Sequence, residues 1–238
     1  MPANKNFNPS KSSVCILRQL ALTDISANLP FIKNQHMKLS FASLIILMIV
    51  SCKSQTKTDL LSLKLDADIS SLVLQDKELK KDFERNYGLA SLTTSKLDGY
   101  AIGDVKLNTY DYPNGNLADY NRLSIFKSSK QKNNYLGFNN SSVNQEETKS
   151  IVGYLKKTYP AYQKSDTKGN GESFFWDIPK LDAWIFIYQG ISTDKNDKNF
   201  FSTNFIFVRK GTRLENSTDA KVITIMDYYK MMFPDVIK

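Results

Sequence analysis

Histidine and cysteine are nearly absent from this chain of 238 residues. His36 is its one histidine, and Cys15 and Cys52 are its two cysteines. Hydrophobic residues make up 41% of the chain and charged residues 24%, which is close to the composition of ordinary globular proteins. This balance excludes a wholly disordered chain, a collagen-like fibre and a membrane protein with many spans.

The longest uncharged apolar run covers residues 39–50 and follows Met37 and Lys38. As a helix this run rises about 18 Å, whereas the hydrocarbon core of a bilayer is about 30 Å thick. A charged start, a short apolar run and a small residue are typical of a secretory signal peptide, so we interpret residues 37–51 as one. The alternative is an uncleaved anchor or a buried helix. Lys38 before the run and the polar stretch 53–58 after it disfavour both.

The apolar run ends in Ile49-Val50-Ser51-Cys52, which resembles the lipobox of bacterial lipoproteins. The resemblance covers residues 37–55. It implies cleavage before Cys52, a diacylglycerol on its thiol and an acyl chain on its new amine. Lys53 follows where some lipoproteins have Asp, which by that family's usual sorting rule implies the outer membrane. One acyl chain binds a bilayer marginally and two or more hold stably, so the resemblance predicts a stable anchor.

Residues 1–36 precede the signal peptide and are rich in Asn and Ser, without a helical or alternating period. We expect translation to begin at Met37, and the alternative is a disordered leader. In either case these residues are excluded from the prediction of the fold.

Cleavage before Cys52 changes which functions the composition allows. It removes 5 basic residues and 1 acidic residue, which leaves 27 basic and 23 acidic residues and a net charge of +4. That surplus is weak support for nucleic-acid binding, and we predict none. Cleavage also removes His36 and Cys15. The remaining domain then has no Cys/His zinc site, no Cys–His nucleophile and no Ser-His-Asp triad, and the sequence indicates no metal and no cofactor.

The mature chain reads as a short tether, residues 52–58, followed by one domain, residues 59–238. Three segments have apolar residues at helical spacing and are predicted helices. The first is 76–87, with Leu79, Phe83 and Tyr87 before Gly88, and the second is 143–159, with Ile151, Val152, Leu155 and Tyr159 after a capping-box spacing of Ser142 and Gln145. The third is 219–233, with Val222, Ile225, Met226, Tyr229 and Phe233. The β-branched residues 222–225 of the third segment are equally compatible with a strand.

Strand-like segments lie between these helices, at 100–110, 121–127, 134–138, 172–178, 181–189 and 200–209. The first two flank Pro113-Asn114-Gly115, a turn signal. Two of the later segments are apolar on both faces, which predicts central strands covered on two sides: Trp184, Phe186 and Tyr188 alternate with Ile185 and Ile187, and Phe205 and Phe207 alternate with Ile206 and Val208. Strands in runs, with isolated helices between them, predict an α+β domain with a mainly antiparallel sheet and two or three packed helices.

Carboxylates and loops offer weak signals for catalysis or metal binding. Residues 194–199 have acidic spacing like a calcium loop, but Asn199 replaces the glycine and Phe205 the glutamate that such a loop requires, so we predict a polar hairpin loop. Residues 166–172 are Gly-rich but match neither phosphate-binding pattern and predict a turn. Glu172, Asp177 and Asp182 lie near the ends of aromatic strands, where paired carboxylates act in glycan hydrolysis.

Aromatic residues are concentrated between residues 174 and 201. Extended doublets point to opposite faces, so one member of Phe174-Phe175 and one of Phe200-Phe201 are candidates for an exposed contact patch. We therefore predict a lipid-anchored envelope protein, not an enzyme, that binds an envelope protein, a glycan or a small ligand. Two alternatives stay open: a carboxylate-dependent envelope hydrolase, and a protective lipoprotein that inhibits a toxin or a lytic enzyme.

Overall fold

The computed structural model describes residues 57–110, 121–130, 133–166, 171–194, 196–234 and 237, all within one compact unit, Gln55–Lys238. The strands are β1 (Thr58–Asp59), β2 (Lys80–Glu84), β3 (Leu89–Thr94), β4 (Tyr100–Ile102), β5 (Val105–Lys106), β6 (Arg122–Lys127), β7 (Tyr135–Ser142), β8 (Gln163–Asp166), β9 (Glu172–Ile178), β10 (Ala183–Thr193) and β11 (Asn199–Arg209). The helices are α1 (Ser70–Gln75), α2 (Gln145–Thr158) and α3 (Ile225–Met232). The predicted signal peptide and Cys52 lie outside the described residues.

Eight strands form one sheet in the order β2-β3-β6-β7-β11-β10-β9-β8, in which all neighbours are antiparallel. A smaller sheet has the order β1-β4-β5, in which β1 and β4 are parallel. Most neighbours in the large sheet are consecutive in sequence, but β3 lies beside β6 and β7 beside β11. The fold is therefore α+β with a mainly antiparallel sheet and packed helices, as the sequence predicted.

The two central strands β10 and β11 separate two apolar layers. Ile185 and Ile187 belong to one core together with Ile151 and Leu155 of α2, which we call the α2 core. The intervening residues of β10 and β11 belong to a second core, the α3 core, with side chains of α3. The members of this second core on the two strands and the helix include Phe186, Ile206, Val208, Ile225 and Tyr229. The predicted alternation, with both faces of these strands covered, is confirmed.

Helix α2 forms where the apolar spacing predicted it, and Ile151, Val152 and Leu155 are buried. Its cap differs from the prediction, because the side chain of Asn144 accepts a hydrogen bond from the backbone N–H of Glu147 at 3.0 Å. Ser142 instead donates to the buried carboxylate of Glu147.

Helix α3 begins at Ile225, six residues later than predicted, because Thr224 and Asp227 form a capping box there. The Thr224 side chain accepts from the Asp227 backbone N–H at 3.1 Å, and the Asp227 carboxylate accepts from the Thr224 backbone N–H at 3.0 Å. Thr224 also forms an isolated β-bridge with Arg213. The strand alternative for residues 222–225 is thus limited to this single bridge at Thr224, because Ile225 is already helical.

Asp227→Asn is expected to lower the free energy of unfolding by about 1 kcal/mol at pH 7 and to have less effect near pH 2. The Thr224 hydroxyl and then the Thr224 backbone N–H hold the pKa of Asp227 below its usual value of 3.8. A lowered folded-state pKa stabilises the fold above the unfolded-state pKa, and this stabilisation is lost as the pH falls through the folded-state value. Urea unfolding at both pH values measures the difference. The exposed Asp104 provides the control substitution, Asp104→Asn, and an equal deficit for Asp227→Asn at both pH values would contradict the expectation.

The predicted helix at residues 76–87 is wrong, because this segment contains β2 and the turn to β3. Gly88 in that turn has a φ of +66°, a conformation that glycine adopts at little energetic expense. Strand β2 lies at the edge of the sheet and its residues are mostly exposed, so it lacks the alternating apolar pattern by which strands are recognised. Phe83, which was assigned to a helix face, is 55% exposed.

The strands found within segments 100–110 and 121–127, which flank the turn signal, belong to different sheets. The first segment contains the short hairpin β4–β5 of the small sheet, while β6 pairs with β3 and β7 in the large sheet. The turn signal at residues 113–115 lies outside the described residues. Pairing between β3 and β6 joins segments about 30 residues apart, and no local turn signal marks such a contact.

Several smaller differences concern the ends of the domain and one edge of the sheet. Thr58, predicted as the last residue of the tether, begins β1 and pairs with Tyr100. The edge strand β8 was not predicted, because its residues Gln-Lys-Ser-Asp are polar.

Within the part of the chain that the structure describes, no helix is long and apolar enough to cross a membrane.

Candidate functional site

Helix α3 covers only part of one face of the large sheet. Its Tyr229 stacks on Phe186 with ring centroids 4.3 Å apart. Farther along the same face the strands carry short polar side chains, and no α3 residue lies over them in the described parts of the chain. These side chains line an open cavity of about 490 Å³, which we call the polar groove: Asp82, Arg122, Ser124, Asn139, Ser141 and Asn204.

The register of the strands places these side chains in rows across the sheet. Arg122 of β6 lies opposite Ser141 of β7, and Ser124 lies opposite Asn139. Ser141 lies in turn opposite Asn204 of β11. Because alternate residues of a strand project to the same face, these positions form one continuous polar surface over three neighbouring strands.

An ion pair between Asp82 and Arg122 crosses this surface. It spans β3, which lies between their strands. The backbone N–H of Phe83, the guanidinium of Arg122 and the hydroxyl of Thr93 hold the pKa of Asp82 below its usual value, although partial burial opposes them. Asp82 is therefore an anion that is already engaged by donors, and it is not suited to donating a proton.

The turn between β2 and β3 closes one end of the polar groove. Glu84 is buried, and its carboxylate accepts hydrogen bonds from the backbone N–H of Tyr87 at 2.7 Å and from the amide of Asn86 at 2.9 Å. Arg85 of the same turn also lines the cavity. With Asp82 and Arg122, the lining carries two carboxylates and two guanidinium groups, so its formal charge is zero.

Asn139 provides hydrogen-bonding capacity that the described residues do not use. Its Oδ1 atom is buried and has no hydrogen-bond partner among them. A buried polar atom without a partner destabilises a protein by about 1–3 kcal/mol. In the next row, the Ser141 hydroxyl donates to Oδ1 of Asn204 at 2.6 Å, so that amide presents its N–H donors from a fixed position.

A second cavity, of about 430 Å³, lies between α2 and the opposite face of the sheet. Its floor includes the buried ring of Phe174, with the Lys156 ammonium 4.4 Å from the ring centroid. Gln189 donates to Gln145 at 2.8 Å and accepts from the backbone N–H of Glu172 at 3.1 Å. As in the polar groove, one buried polar atom of this lining, Oγ1 of Thr148, has no partner among the described residues.

The three carboxylates considered for hydrolysis do not form a catalytic pair. Glu172 and Asp177 are five positions apart on β9, which places them on opposite faces of the sheet and about 17 Å apart along the strand. Catalytic carboxylates of glycosidases are separated by about 5–9.5 Å. Each is also neutralised by a lysine, Glu172 by Lys164 at 2.6 Å and Asp177 by Lys210.

Asp182 has a structural role through its backbone. It has a φ of +51° at the end of the 3₁₀ turn Pro179–Leu181. Its carbonyl oxygen accepts a hydrogen bond from the backbone N–H of Lys210 at 2.8 Å. Asp182 therefore helps to join β10 to the end of β11.

The predicted aromatic contact patch needs correction. Phe174 and Phe175 point to opposite faces as expected, but both are buried, one in each core. Phe200 is half-buried, and Phe201 is 38% exposed beside its cross-strand neighbour Ile191. Since both faces of β9 are covered, the exposed part of the predicted patch is limited to Phe201 and the half-buried Phe200, near the end of the β10–β11 hairpin.

The loops with calcium-like or basic character have local structural roles. Oδ1 of Asp194 accepts from the backbone N–H groups of Asn196 and Lys198 at 2.8 and 3.0 Å, as in a polar hairpin turn. The loop after Lys127 joins β6 to β7, and the Lys130 ammonium donates to Thr218 at 3.1 Å. Residues 167–170 of the Gly-rich segment lie outside the described residues, between the paired strands β8 and β9.

The sequence analysis missed all the residues of the polar groove. A signal existed in β6, where Arg122 and Ser124 alternate with Leu123 and Ile125, and in the polar position that Asn204 takes before the apolar run 205–208 of β11. These residues come from four segments between positions 82 and 204. Only the order of the strands shows that they share one surface.

Comparisons with known proteins give no match: no protein-family model, no curated protein and no solved structure is significantly similar to this chain. Among the residues that the structure describes, no three or more His, Cys, Asp or Glu side chains are grouped so that they could hold a metal ion. The function therefore has to be inferred from the chemistry of the polar groove and from the sequence signals before the domain.

Proposed function

We propose that this protein is a lipid-anchored protein of a bacterial envelope, which binds a ligand in the polar groove without transforming it. The observation that carries the anchor is the apolar run 39–50 ending in Ile49-Val50-Ser51-Cys52. Acylation of Cys52 attaches the mature chain to the membrane. Lys53 after the cysteine favours the outer membrane.

The short distance from Cys52 to the domain supports a position close to the bilayer. Thr58 begins β1 six residues after Cys52. Six extended residues span at most about 20 Å. The domain is therefore held within reach of the membrane surface, where the groove samples envelope ligands.

Two features of the groove favour binding over catalysis. Both of its carboxylates already have partners, because Asp82 is paired with Arg122 and Glu84 accepts a hydrogen bond from the backbone N–H of Tyr87. General acid–base catalysis instead requires groups whose pKa values are separated by their surroundings. The amides and hydroxyls of the groove can hold a ligand, and they are weak acids and bases.

Mass spectrometry of the native protein tests the anchor. The expected N-terminal peptide begins at Cys52 and carries the mass of a diacylglycerol and an amide-linked acyl chain. Membrane fractionation is expected to place the protein with outer-membrane markers. Native peptides that join Ser51 to Cys52, without acyl groups, would overturn the proposal.

A further inference from the structure

The polar groove differs from an ordinary exposed sheet face in the kind of side chain it carries. Exposed sheet positions commonly hold long charged side chains that remain in water, whereas Ser124, Asn139 and Ser141 are short and lie close to the backbone. Ser124 is buried, and the described residues that line the groove with it are polar or charged except Phe83. A concave floor of short amides and hydroxyls offers hydrogen bonds at fixed positions, which is how polar ligands are oriented in binding sites.

The charge of the groove argues for an uncharged ligand. Its two carboxylates and two guanidinium groups balance, and the Asp82–Arg122 pair is formed within the floor itself. An anionic ligand would have to compete with Asp82 for Arg122, and a cationic ligand would have to compete with Arg122 for Asp82. Either competition leaves a charge without its partner, which weakens binding.

The floor offers both donors and acceptors. Asn139 presents a buried carbonyl oxygen without a partner among the described residues, and the Asn204 amide presents N–H donors while its oxygen is held by Ser141. A hydroxyl group both donates and accepts. A ligand with several hydroxyls can therefore donate to an amide oxygen and accept from an amide N–H. The cavity volume of about 490 Å³ lies within the range of small-ligand sites, about 300–1,000 Å³.

The direction of the groove disfavours an extended peptide. Peptides that bind to sheets usually add a strand to an exposed edge, where backbone N–H and C=O groups are available. The polar groove crosses the face of β6, β7 and β11, which are interior strands whose backbone groups pair with neighbouring strands. These three strands therefore offer a ligand side-chain contacts rather than backbone ones.

We infer that the polar groove binds a neutral saccharide, held by the amides of Asn139 and Asn204 and by the hydroxyls of Ser124 and Ser141. This inference rests on the proposed function, because it names the ligand class of the same groove. A half-turn of the partly exposed Asn139 amide about its last bond brings Oδ1 to the groove, where it accepts from a saccharide hydroxyl, and a saccharide oxygen accepts from the amide of Asn204. The Asp82–Arg122 pair stays intact beneath the ligand.

Saturation-transfer NMR on the full native protein tests this inference. The protein is solubilised in a polyoxyethylene detergent, because detergents with sugar headgroups would compete for the groove. The probes are chitotriose, cellotriose and maltotriose, with trigalacturonic acid as the charged comparison and tetraglycine as the peptide comparison. At least one neutral trisaccharide is expected to bind, and more tightly than the charged sugar or the peptide.

Asn139→Ala is the diagnostic variant. The amide oxygen of Asn139 has no hydrogen-bond partner in the described structure, so removing the amide is expected to leave folding intact. The affinity for the neutral trisaccharide is expected to fall about three- to tenfold. Asn196→Ala, at the exposed end of the β10–β11 hairpin, is the matched control and should bind as the native protein does. Gln189→Ala tests the cavity beside α2 and should also leave binding unchanged.

Four results would overturn the inference. No neutral trisaccharide binds, or trigalacturonic acid or tetraglycine binds more tightly than every neutral trisaccharide. The fourth is that Gln189→Ala weakens trisaccharide binding and Asn139→Ala does not. Circular dichroism of each variant verifies that the fold is retained, and Asn139→Gln provides a second variant if Asn139→Ala is unstable. Mass spectrometry of the same sample separates the two proposals. An acylated Cys52 without saccharide binding contradicts only this inference, whereas saccharide binding without acylation contradicts only the anchor.

Discussion

A Cys52→Ala variant is expected to lose both its acyl groups and normal processing. Intact mass spectrometry should show a precursor that retains residues 37–51, and metabolic labelling with an alkyne fatty acid should give no signal. In detergent phase separation, the native protein is expected in the detergent phase and the variant largely in the aqueous phase. This is the largest change expected for any single substitution, because it moves the protein between compartments.

The physical reason is the length of hydrocarbon that the anchor supplies. Each buried CH₂ group contributes about 0.8 kcal/mol, and two or more acyl chains hold a protein stably at a bilayer. The retained apolar run 39–50 is too short to span the hydrocarbon core, at about 18 Å against about 30 Å. The retained apolar run is therefore a poorer anchor than the acyl chains that the variant lacks.

Cys15→Ala is the control, since Cys15 is the other cysteine of the sequence and lies before both the expected start at Met37 and the predicted cleavage site. It should be processed, labelled and partitioned like the native protein. The anchor is falsified if Cys52→Ala is cleaved after Ser51 and still partitions into detergent. Loss of labelling in Cys15→Ala would equally contradict the assignment of the modified thiol.

Gly137→Ala is expected to destabilise the domain by more than about 3 kcal/mol and to lower its melting temperature by about 10 °C. Gly137 lies in β7 between β6 and β11 and has a φ of +136°. A Cβ atom there would overlap the carbonyl oxygen of Phe207 and lie 2.8 Å from Cα of Val208. Both neighbours are backbone atoms of a central strand, so they cannot move aside as a flexible side chain can.

Gly153→Ala is the matched control and is expected to change stability in the opposite direction. Gly153 lies inside α2, and a Cβ atom built on it has no neighbour within 4 Å. Alanine is favoured over glycine in a helix interior by about 1 kcal/mol, so this variant should be more stable than the native protein. Urea unfolding of both variants measures the two effects. A Gly137→Ala variant within about 1 kcal/mol of the native protein would show that β7 and β11 do not approach as closely as described.

Local patterns predicted the parts of the fold whose structure depends on neighbours in sequence. Helix α2 follows from the spacing of Ile151, Val152 and Leu155, and all three are buried. The two-sided burial of β10 and β11 follows from their unbroken apolar character. Where the local signal was weak, prediction failed: the edge strand β2 was taken for a helix, because its exposed residues carry no alternation.

The candidate site was missed for a different reason. Asp82, Arg122 and Asn204 are each unremarkable in sequence, and their meaning comes from strands that are not consecutive. The contacts of β3 with β6 and of β7 with β11 bring them to one face. By contrast, Glu172 and Asp177 were considered because they lie near the ends of aromatic strands, although the pleat of β9 sends them to opposite faces.

The amino-acid sequence by itself determined the α+β class, the position of α2 and the two-sided burial of the central strands, because side-chain periodicity decides which faces can be buried. The tertiary structure alone decided which polar residues meet. The polar groove exists because strands distant in sequence pair side by side and α3 covers only part of the face they form. Neither property is encoded in any single segment of the chain.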